Sequence, residues 1–495
     1  MTSSSPPSPS APLPSAPAPS GQPPDRPPDR SDLARALELT PKYDKPGPRY
    51  TSYPPAPHFT ESVNGDAARA VYEARGADAP PLSLYAHLPF CESMCTYCAC
   101  NVVISRDHAI VERYLAGLAK DIALTARSLG NGPKDVAQFH LGGGTPTFFS
   151  PDELERLHGL VSEHFRFLPG AELAIEADPR VTTRAHVATL GRLGWRRVSF
   201  GVQDFEPDVQ AAVNRVQSRE QTADLVVACR DAGFTSVNVD LMYGLPHQTV
   251  DGFRRTLDVV LRELSPDRVA LFGYAHVPWL KAHQRRIDEA TLPRARDRLA
   301  LFQAGVEAFV SAGYDFIGLD HFAKPADEMA TARASGDLHR NFMGFHTAAR
   351  TDMVAFGMTA IGDVGGVYLQ NHHALTAWER DLAAGRHPVA KGYVRTDDDR
   401  ARGTIIQELM CNGRASRAIL EAFGRSPWRS FYAAEVAELA PMVEDGIVVE
   451  SEDGLRLTPL GRLFVRNVCM VFDAHLGKAP PSAKRPDAPR YSRTV

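Results

Sequence analysis

Four cysteines fall within ten residues, Cys91, Cys95, Cys98 and Cys100, and constrain this chain more than any other feature. A hydrophobic core does not call for thiols at that density, whereas zinc or an iron–sulfur cluster does. A structural zinc site gathers a second ligand pair downstream, but Cys229, Cys411 and Cys469 are isolated. A redox pair needs only two of these thiols. Packing as small hydrophobes suits the three isolated cysteines better than the cluster. The C-x3-C-x2-C spacing of the first three favours a cubane cluster in which one iron lacks a protein ligand.

The rest of the composition is that of an ordinary globular enzyme. The chain has 495 residues, 43% hydrophobic and 23% charged, which allows two or three domains. A net charge of −4 argues against coating nucleic acid or anionic lipid. No apolar run is long enough to cross a bilayer, and no secretory signal opens the chain. Seven cysteines with no evident pairing fit a reducing, cytoplasmic setting.

Residues 1–30 are mostly Pro, Ser and Ala, too polar and proline-rich to bury a core, and are expected to be disordered. In 41–55, tyrosines (Tyr43, Tyr50, Tyr53) and basic residues interleave with prolines; an ordered arm over a site and a plain linker both fit. From 82 onward strands and helices alternate. Leu82, Leu84, Ala86 and Leu88 alternate with Ser83, Tyr85 and His87 and lead straight into the cysteine loop. Further strands are expected at 136–141, 172–176, 197–202, 236–242 and 268–274, with another at 316–320, and helices between them at 151–164, 185–193 and 249–264. Repeated strand–helix units imply a parallel α/β sheet with right-handed crossovers, here a partial (β/α)6 barrel.

Polar residues gather at the carboxyl ends of these strands: Gly142-Gly143-Gly144-Thr145, Glu176 with Asp178, Gln203, Asp240, and Ala275 with His276. Barrel enzymes build their sites on that edge. The glycine run lets a ligand approach the backbone closely, and Glu176 can accept from a hydroxyl or ammonium. Gln203, Arg215 and Asp240 could hold ribose, carboxylate and amine. The stretch 356–366 is glycine-rich but has no phosphate-loop lysine. Helices are expected at 400–411 and 431–445, then a hairpin around Ser451-Glu452-Asp453-Gly454, then a last helix capped by Thr458-Pro459 and running to Phe472. Helix, hairpin, helix suggests a winged-helix-like module serving as a packing domain, because the hairpin tip is acidic.

An open iron can take the amine and carboxylate of S-adenosylmethionine. One electron then splits the sulfonium and releases a 5′-deoxyadenosyl radical able to abstract hydrogen from an unactivated carbon, which demands a low cluster potential. No flavin or nicotinamide fingerprint is present, so an external low-potential donor, flavodoxin- or ferredoxin-like, is expected.

Cys91-x3-Cys95-x2-Cys98 followed by Gly142–Thr147 resembles the radical S-adenosylmethionine superfamily. More closely, the chain resembles the oxygen-independent coproporphyrinogen III oxidase family from about Pro41 to Phe472. Pro48-Arg49-Tyr50-Thr51-Ser52-Tyr53-Pro54, Cys100, Val213-Asn214-Arg215 with Gln217, Asp240–Pro246 and His339-Arg340-Asn341-Phe342 carry that likeness. The resemblance implies a radical SAM-type partial (β/α)6 barrel with a C-terminal, mostly helical, winged-helix-like domain. It implies a [4Fe-4S] cluster on Cys91, Cys95 and Cys98, with Cys100 not a ligand. It further implies S-adenosylmethionine, as two molecules, held by Tyr85, Tyr97, Gly143, Gly144, Thr145, Glu176, Gln203, Arg215, Asp240, Ala275 and Ile361. The implied reaction is oxidative decarboxylation of two propionates of coproporphyrinogen III to vinyls, giving protoporphyrinogen IX, by a cytoplasmic monomer that engages neither nucleic acid nor membrane.

Two positions depart from the family. Tyr97 replaces the usual Phe, and Asn412-Gly413-Arg414 replaces a usual Asn-Phe-Arg. The substrate's four carboxylates call for cations at the barrel mouth, with Arg49 and Arg340 as candidates. A haem chaperone of the same superfamily would share barrel and cluster, but its His-Asn-x-x-Tyr-Trp stretch is missing. A nucleic-acid regulator would need basic recognition residues, and the last helix offers only Arg462 and Arg466. The domains expected are a disordered tail 1–30, an N-terminal arm over the active site 31–80, the barrel 81–323, its extension and connection 324–395, the C-terminal helical domain 396–478 and a flexible tail 479–495.

Overall fold

The computed structural model describes residues 26–130, 132–347, 351–477 and 491. The expectations for 1–25 and for nearly all of 479–495 lie outside the described residues.

Six parallel strands form the centre: β1 (Leu82–Leu88), β2 (Asp135–Gly143), β3 (Arg166–Ala177), β4 (Arg197–Gln203), β5 (Ser236–Tyr243) and β6 (Arg268–Gly273), each bonded to the next. Helices cross between them at Ala109–Ser128, Pro151–Ser162, Arg184–Arg192, Arg219–Asp231 and Val250–Val259. Local chemistry sets their starts. The Ser150 hydroxyl and the Glu153 carboxylate close a capping box ahead of Pro151, and Thr249 caps the helix from Val250. The period-2 pattern of β1 puts Leu82, Leu84, Ala86 and Leu88 into the main core with the helices. That leaves Ser83, Tyr85 and His87 on the opposite face, lining the lumen.

Both edges of the sheet continue. β7 (Asp315–Gly318) and β8 (His321–Ala323) add antiparallel beyond β6. On the other side β9 (Asp352–Phe356) runs parallel to β1, followed by antiparallel β10 (Ile361–Val364), β11 (Val367–Asn371) and β12 (Val389–Val394). The order is β12-β11-β10-β9-β1-β2-β3-β4-β5-β6-β8-β7. Its two ends do not pair, so the barrel is partial. The glycine-rich 356–366 stretch holds β10 and the turns on either side of it, which join it to β9 and β11.

The second domain starts at helix Asp397–Asn412, whose capping box on Thr396 sets it three residues ahead of the expected start. Gly413 ends it at φ +66°, a left-handed position that suits glycine and accounts for the Asn-Gly-Arg departure. Helix Ala433–Glu444 and the hairpin Val448–Ser451/Gly454–Leu457 follow, and the hairpin joins Arg414–Ser416 in a three-stranded sheet. The expected last helix is two, Pro459–Leu463 and Val465–Val471, broken at Phe464. Arg462 and Arg466 are both buried, so neither is presented to a phosphate backbone.

One element has no counterpart in the sequence reading. A helix, Arg30–Tyr43, begins at a capping box on Asp29 and buries Leu33, Ala36, Leu39 and Tyr43. After it, the arm is ordered against the second domain. Tyr43 donates to Asp445 (2.6 Å), Tyr50 donates to Asp473 (3.0 Å), and the Ala474 N–H donates to Tyr53 Oη (2.9 Å). Arg466 Nε donates to the Pro48 carbonyl (3.1 Å). The three tyrosines share one hydrophobic core with the second domain, so the plain-linker alternative does not hold.

Candidate active site

The cysteine loop leaves β1 at the carboxyl edge of the barrel and is tied down on two sides. Toward β4, Thr96 N–H donates to Val213 O (3.1 Å) and Asn214 Nδ2 to Met94 O (2.9 Å). Toward the loop after β6, Gln284 Nε2 donates to the carbonyls of Tyr97 (3.0 Å) and Ala275 (3.2 Å), while His283 Nε2 meets Cys98 O (2.7 Å) and Lys281 Nζ meets Cys100 O (3.1 Å). Gln284 is fully buried. It and its neighbours escaped the sequence reading because they lie in a short 3-10 helix, Ala282–Arg286, too brief to show periodicity.

Cations surround the thiols. Arg180 Nη2 and Arg215 Nη1 each stand 3.5 Å from Cys95 Sγ, and both bind Asp178, at 2.7 and 2.9 Å. Burial works against the Asp178 carboxylate, yet Arg215 and Arg180 hold its pKa below the usual range. Cys91 Sγ lies 3.3 Å from Thr145 Oγ1, and burial pushes this thiol up to about 11. Cys98 is pulled down to about 7, first by a hydrogen bond from Cys100, against burial, with Lys281 and Arg215 adding to the effect. Among the described residues no three His, Cys, Asp or Glu side chains converge on a point that would grip a single metal ion. A cubane takes each thiolate on a different iron, so three separated sulfurs under positive charge suit it without such convergence.

Next to the loop the strand ends form a cradle. Gly143 sits at φ +119°, and a Cβ there would stand 2.6 Å from the His87 ring; at Gly144 it would stand 2.6 Å from the Pro89 backbone. Gly143 N–H donates to Glu176 Oε2 (3.1 Å), and His140 Nε2 approaches Glu176 Oε1 (3.5 Å). Burial opposes the Glu176 carboxylate, but His140 and the Gly143 N–H keep it charged and below its ordinary pKa. Its side chain is 46% accessible although it lies deep in the barrel, because it faces the open lumen. Tyr85 stacks on His140, with ring centres 6.0 Å apart, and its hydroxyl meets His87 Nδ1 (3.0 Å). The lumen-facing alternation of Gln138 and His140 with Phe139 and Leu141 could have identified His140.

Across the lumen, Asp240 accepts from Ser199 Oγ (3.0 Å) and Asn238 Nδ2 (2.7 Å). Burial, then the Glu176 charge, raises it to about 7. Gln203 adopts φ +68°, and its Oε1 is buried without a partner among the described residues, an acceptor available to a ligand donor. Tyr97 packs against the small core of Val209, Val213, Leu245 and Tyr274. Tyr85, Gly143, Gly144, Thr145, Glu176, Gln203, Arg215 and Asp240 thus meet around one lumen, and Ala275 is linked to Tyr97 through Gln284. Ile361 opens β10, separated from β1 by β9, and no side-chain hydrogen bond places it. The glycine cradle, the orphaned Gln203 oxygen, the carboxylates and the thiols under positive charge together fit a cluster beside a zwitterionic nucleoside ligand.

Comparison with known proteins agrees with this picture. The Radical SAM superfamily model matches residues 85–260 and the HemN C-terminal domain model matches 396–464. The oxygen-independent coproporphyrinogen III oxidase of Synechocystis sp. is 40% identical over 445 residues, covering 89% of this chain and 95% of the relative. That of Pseudomonas aeruginosa is 41% identical over 461 residues, covering 92% and 98%. The solved structure of coproporphyrinogen III oxidase from Escherichia coli, described as a radical SAM enzyme, superposes with a TM-score of 0.83 at 40% identity, covering 86% of this chain and 98% of that one.

Proposed function

The chain belongs to the oxygen-independent coproporphyrinogen III oxidase family, and from that premise we propose how its own residues divide the work. It is a radical SAM oxidoreductase of porphyrin and haem biosynthesis, with a [4Fe-4S] cluster and S-adenosylmethionine as cofactors. When bound, these two groups supply a carbon radical strong enough to abstract hydrogen from an unactivated carbon.

Cys91, Cys95 and Cys98 hold the cluster, and Cys100 stands outside the ligand set as a hydrogen-bond donor to Cys98. Arg215 and Arg180 lower the cost of thiolate charge beside Cys95 and, through Asp178, fix the loop to the barrel. Gly143 and Gly144 admit the methionine end of the cofactor against bare backbone. Glu176, kept ionised by His140 and Gly143, accepts from its donors, and Gln203 and Asp240 do the same across the lumen. Tyr85, Thr145, Tyr97, Ala275 and Ile361 complete the set, which we read as holding two molecules of S-adenosylmethionine.

The substrate is coproporphyrinogen III, two of whose propionates lose carbon dioxide and become vinyls, giving protoporphyrinogen IX. Electrons come from an external low-potential flavodoxin- or ferredoxin-like protein, because the chain carries no flavin or nicotinamide fingerprint of its own. No helix of the described residues is long and apolar enough to cross a membrane. We place the enzyme in the cytoplasm, as a monomer, with no nucleic-acid partner. The observation that carries this reading is the set of three thiols under Arg180, Arg215 and Lys281, directly beside the glycine cradle. Anaerobically reconstituted protein given strong reductant, S-adenosylmethionine and coproporphyrinogen III should form protoporphyrinogen IX. Haem held tightly with no porphyrinogen consumed would favour a haem carrier instead.

A further inference from the structure

The helix Ala109–Ser128 follows the cysteine loop and carries two buried polar side chains, Tyr114 and Asp121, on one face, since seven residues make two turns. Tyr114 Oη donates to the His87 carbonyl (2.8 Å) and accepts from the Met358 N–H (3.0 Å). Asp121 accepts from the Gly357 N–H (3.0 Å) and from Trp378 Nε1 (3.2 Å). Among the described residues no cation pairs with Asp121, and burial pushes its carboxyl up to about 7, so it serves here as an acceptor more than as a charge.

These bonds join two walls of the cofactor site. His87 stands near the end of β1. Its ring lies where a Cβ at Gly143 would fall, its Nδ1 meets the Tyr85 hydroxyl, and its Nε2 meets the Asn101 carbonyl (3.0 Å) beyond the cysteine loop. Gly357 and Met358 leave β9, which runs parallel to β1 with Ala86 opposite Phe356. The 357–360 turn therefore stands at the same carboxyl edge as the cysteine loop, and it delivers the chain to Ile361.

The turn is constrained throughout. Gly357 adopts φ +90°, and a Cβ there would collide with the Tyr114 oxygen and stand 2.8 Å from the His87 carbonyl. Thr359 adopts φ +62°, a conformation that a β-branched residue rarely takes. Such a backbone persists only where its surroundings over-determine it. Asn371 Nδ2 donates to the Gly357 carbonyl (2.8 Å), Thr359 N–H to the His372 carbonyl (2.8 Å) and Asn371 N–H to the Ala360 carbonyl (2.9 Å). Tyr114 and Asp121 take the two remaining N–H groups, those of Met358 and Gly357.

We infer that Tyr114 and Asp121 are positioning residues for S-adenosylmethionine: through His87 and the 357–360 turn they fix the wall carrying Tyr85 and Gly143 relative to the wall carrying Ile361. The inference rests on the reading that those three residues hold the cofactor, and it adds what sets them at a fixed spacing.

The test uses the reconstituted full-length protein, well below its melting temperature. Tyr114→Phe keeps the ring and loses both hydrogen bonds. It should keep the wild-type iron content and weaken S-adenosylmethionine binding, read by equilibrium dialysis, about tenfold. In turnover, KM for S-adenosylmethionine should rise by the same factor while kcat at saturation stays within about twofold of wild type. Asp121→Ala should weaken binding likewise, and Asp121→Asn, which still offers an acceptor, should restore it. Tyr314→Phe is the control: it removes a buried phenol's bond to the Pro266 carbonyl (2.6 Å), at the amino end of β6, and should lower the melting temperature without moving the affinity. If wild type binds S-adenosylmethionine and Tyr114→Phe and Asp121→Ala bind it equally tightly, the inference is overturned while the function stands. The same follows if iron is lost together with affinity, or if Tyr314→Phe weakens binding as much. If wild type binds no S-adenosylmethionine, the function reading fails and takes the inference with it.

Discussion

Arg215 donates to Asp178 across 2.9 Å while its same Nη1 stands 3.5 Å from Cys95, so one buried guanidinium joins the end of β3 to the cysteine loop. Both partners are buried, at 7% and 6% exposure. Asp178→Asn removes the carboxylate that both arginines bind and should cost about 3 kcal/mol of stability, as breaking one side of a buried ion pair does. Thermal unfolding of the apoprotein reads that loss, and iron content after reconstitution should fall with it. A variant with unchanged melting would show that the pair does not anchor the loop.

The cysteines separate cleanly. Cys98→Ala should lose the cluster, seen as absent iron and absent visible absorption after anaerobic reconstitution. Cys100→Ala should keep both, because Cys100 stands outside the ligand set. Equal cluster loss in the two variants would mean that the ligand assignment is wrong.

Asp240 makes cofactor binding depend on pH. Burial raises its carboxyl to about 7, and the ionised form accepts far more strongly from a ligand's hydroxyl or ammonium. Below pH 7 binding must also expel a proton, so affinity for S-adenosylmethionine should drop about tenfold per pH unit there and level off above. Calorimetry between pH 6 and 8 measures this. Asp240→Asn should bind more weakly with a flat profile; a sloping profile in that variant would assign the titration elsewhere.

His387 makes a second pH dependence, this time of folding. Burial holds its pKa down to about 4, with Ser128 Oγ 2.8 Å from Nε2. A histidine depressed in the fold stays neutral there while the unfolded chain protonates near 6.5. Its contribution is therefore complete above about pH 6.5 and is lost as pH falls toward 4, by about 3 kcal/mol. Urea unfolding of His387→Gln should show a shallower acid slope than wild type; parallel slopes would contradict the assignment.

The barrel strands were legible because period-2 runs such as Leu82, Leu84, Ala86 and Leu88 alternate with polar partners, and a barrel must point those partners inward. The polar strand ends were legible for the same reason. Helix Arg30–Tyr43 was not: Pro41 lies in its last turn, and its apolar residues gain meaning only in the fold, Leu33 against the main core and Ala36 and Leu39 against the second domain. Arg180 and Gln284 were not legible either, because Cys95 is remote from Arg180 in sequence and the partners of Gln284 are backbone carbonyls, of Tyr97 and Ala275. The cations were half legible. Arg49 and Arg340 could be named as candidates, but only the fold brings them to Arg466 and a shared Asp320.

The count of carbon dioxide released per coproporphyrinogen III consumed, under strict anaerobiosis with S-adenosylmethionine and a low-potential reductant, tests the central claim most directly. Two equivalents, with S-adenosylmethionine cleaved in step and none released by Cys98→Ala, is the expected result. Porphyrinogen left intact by a protein whose cluster is fully loaded would contradict it.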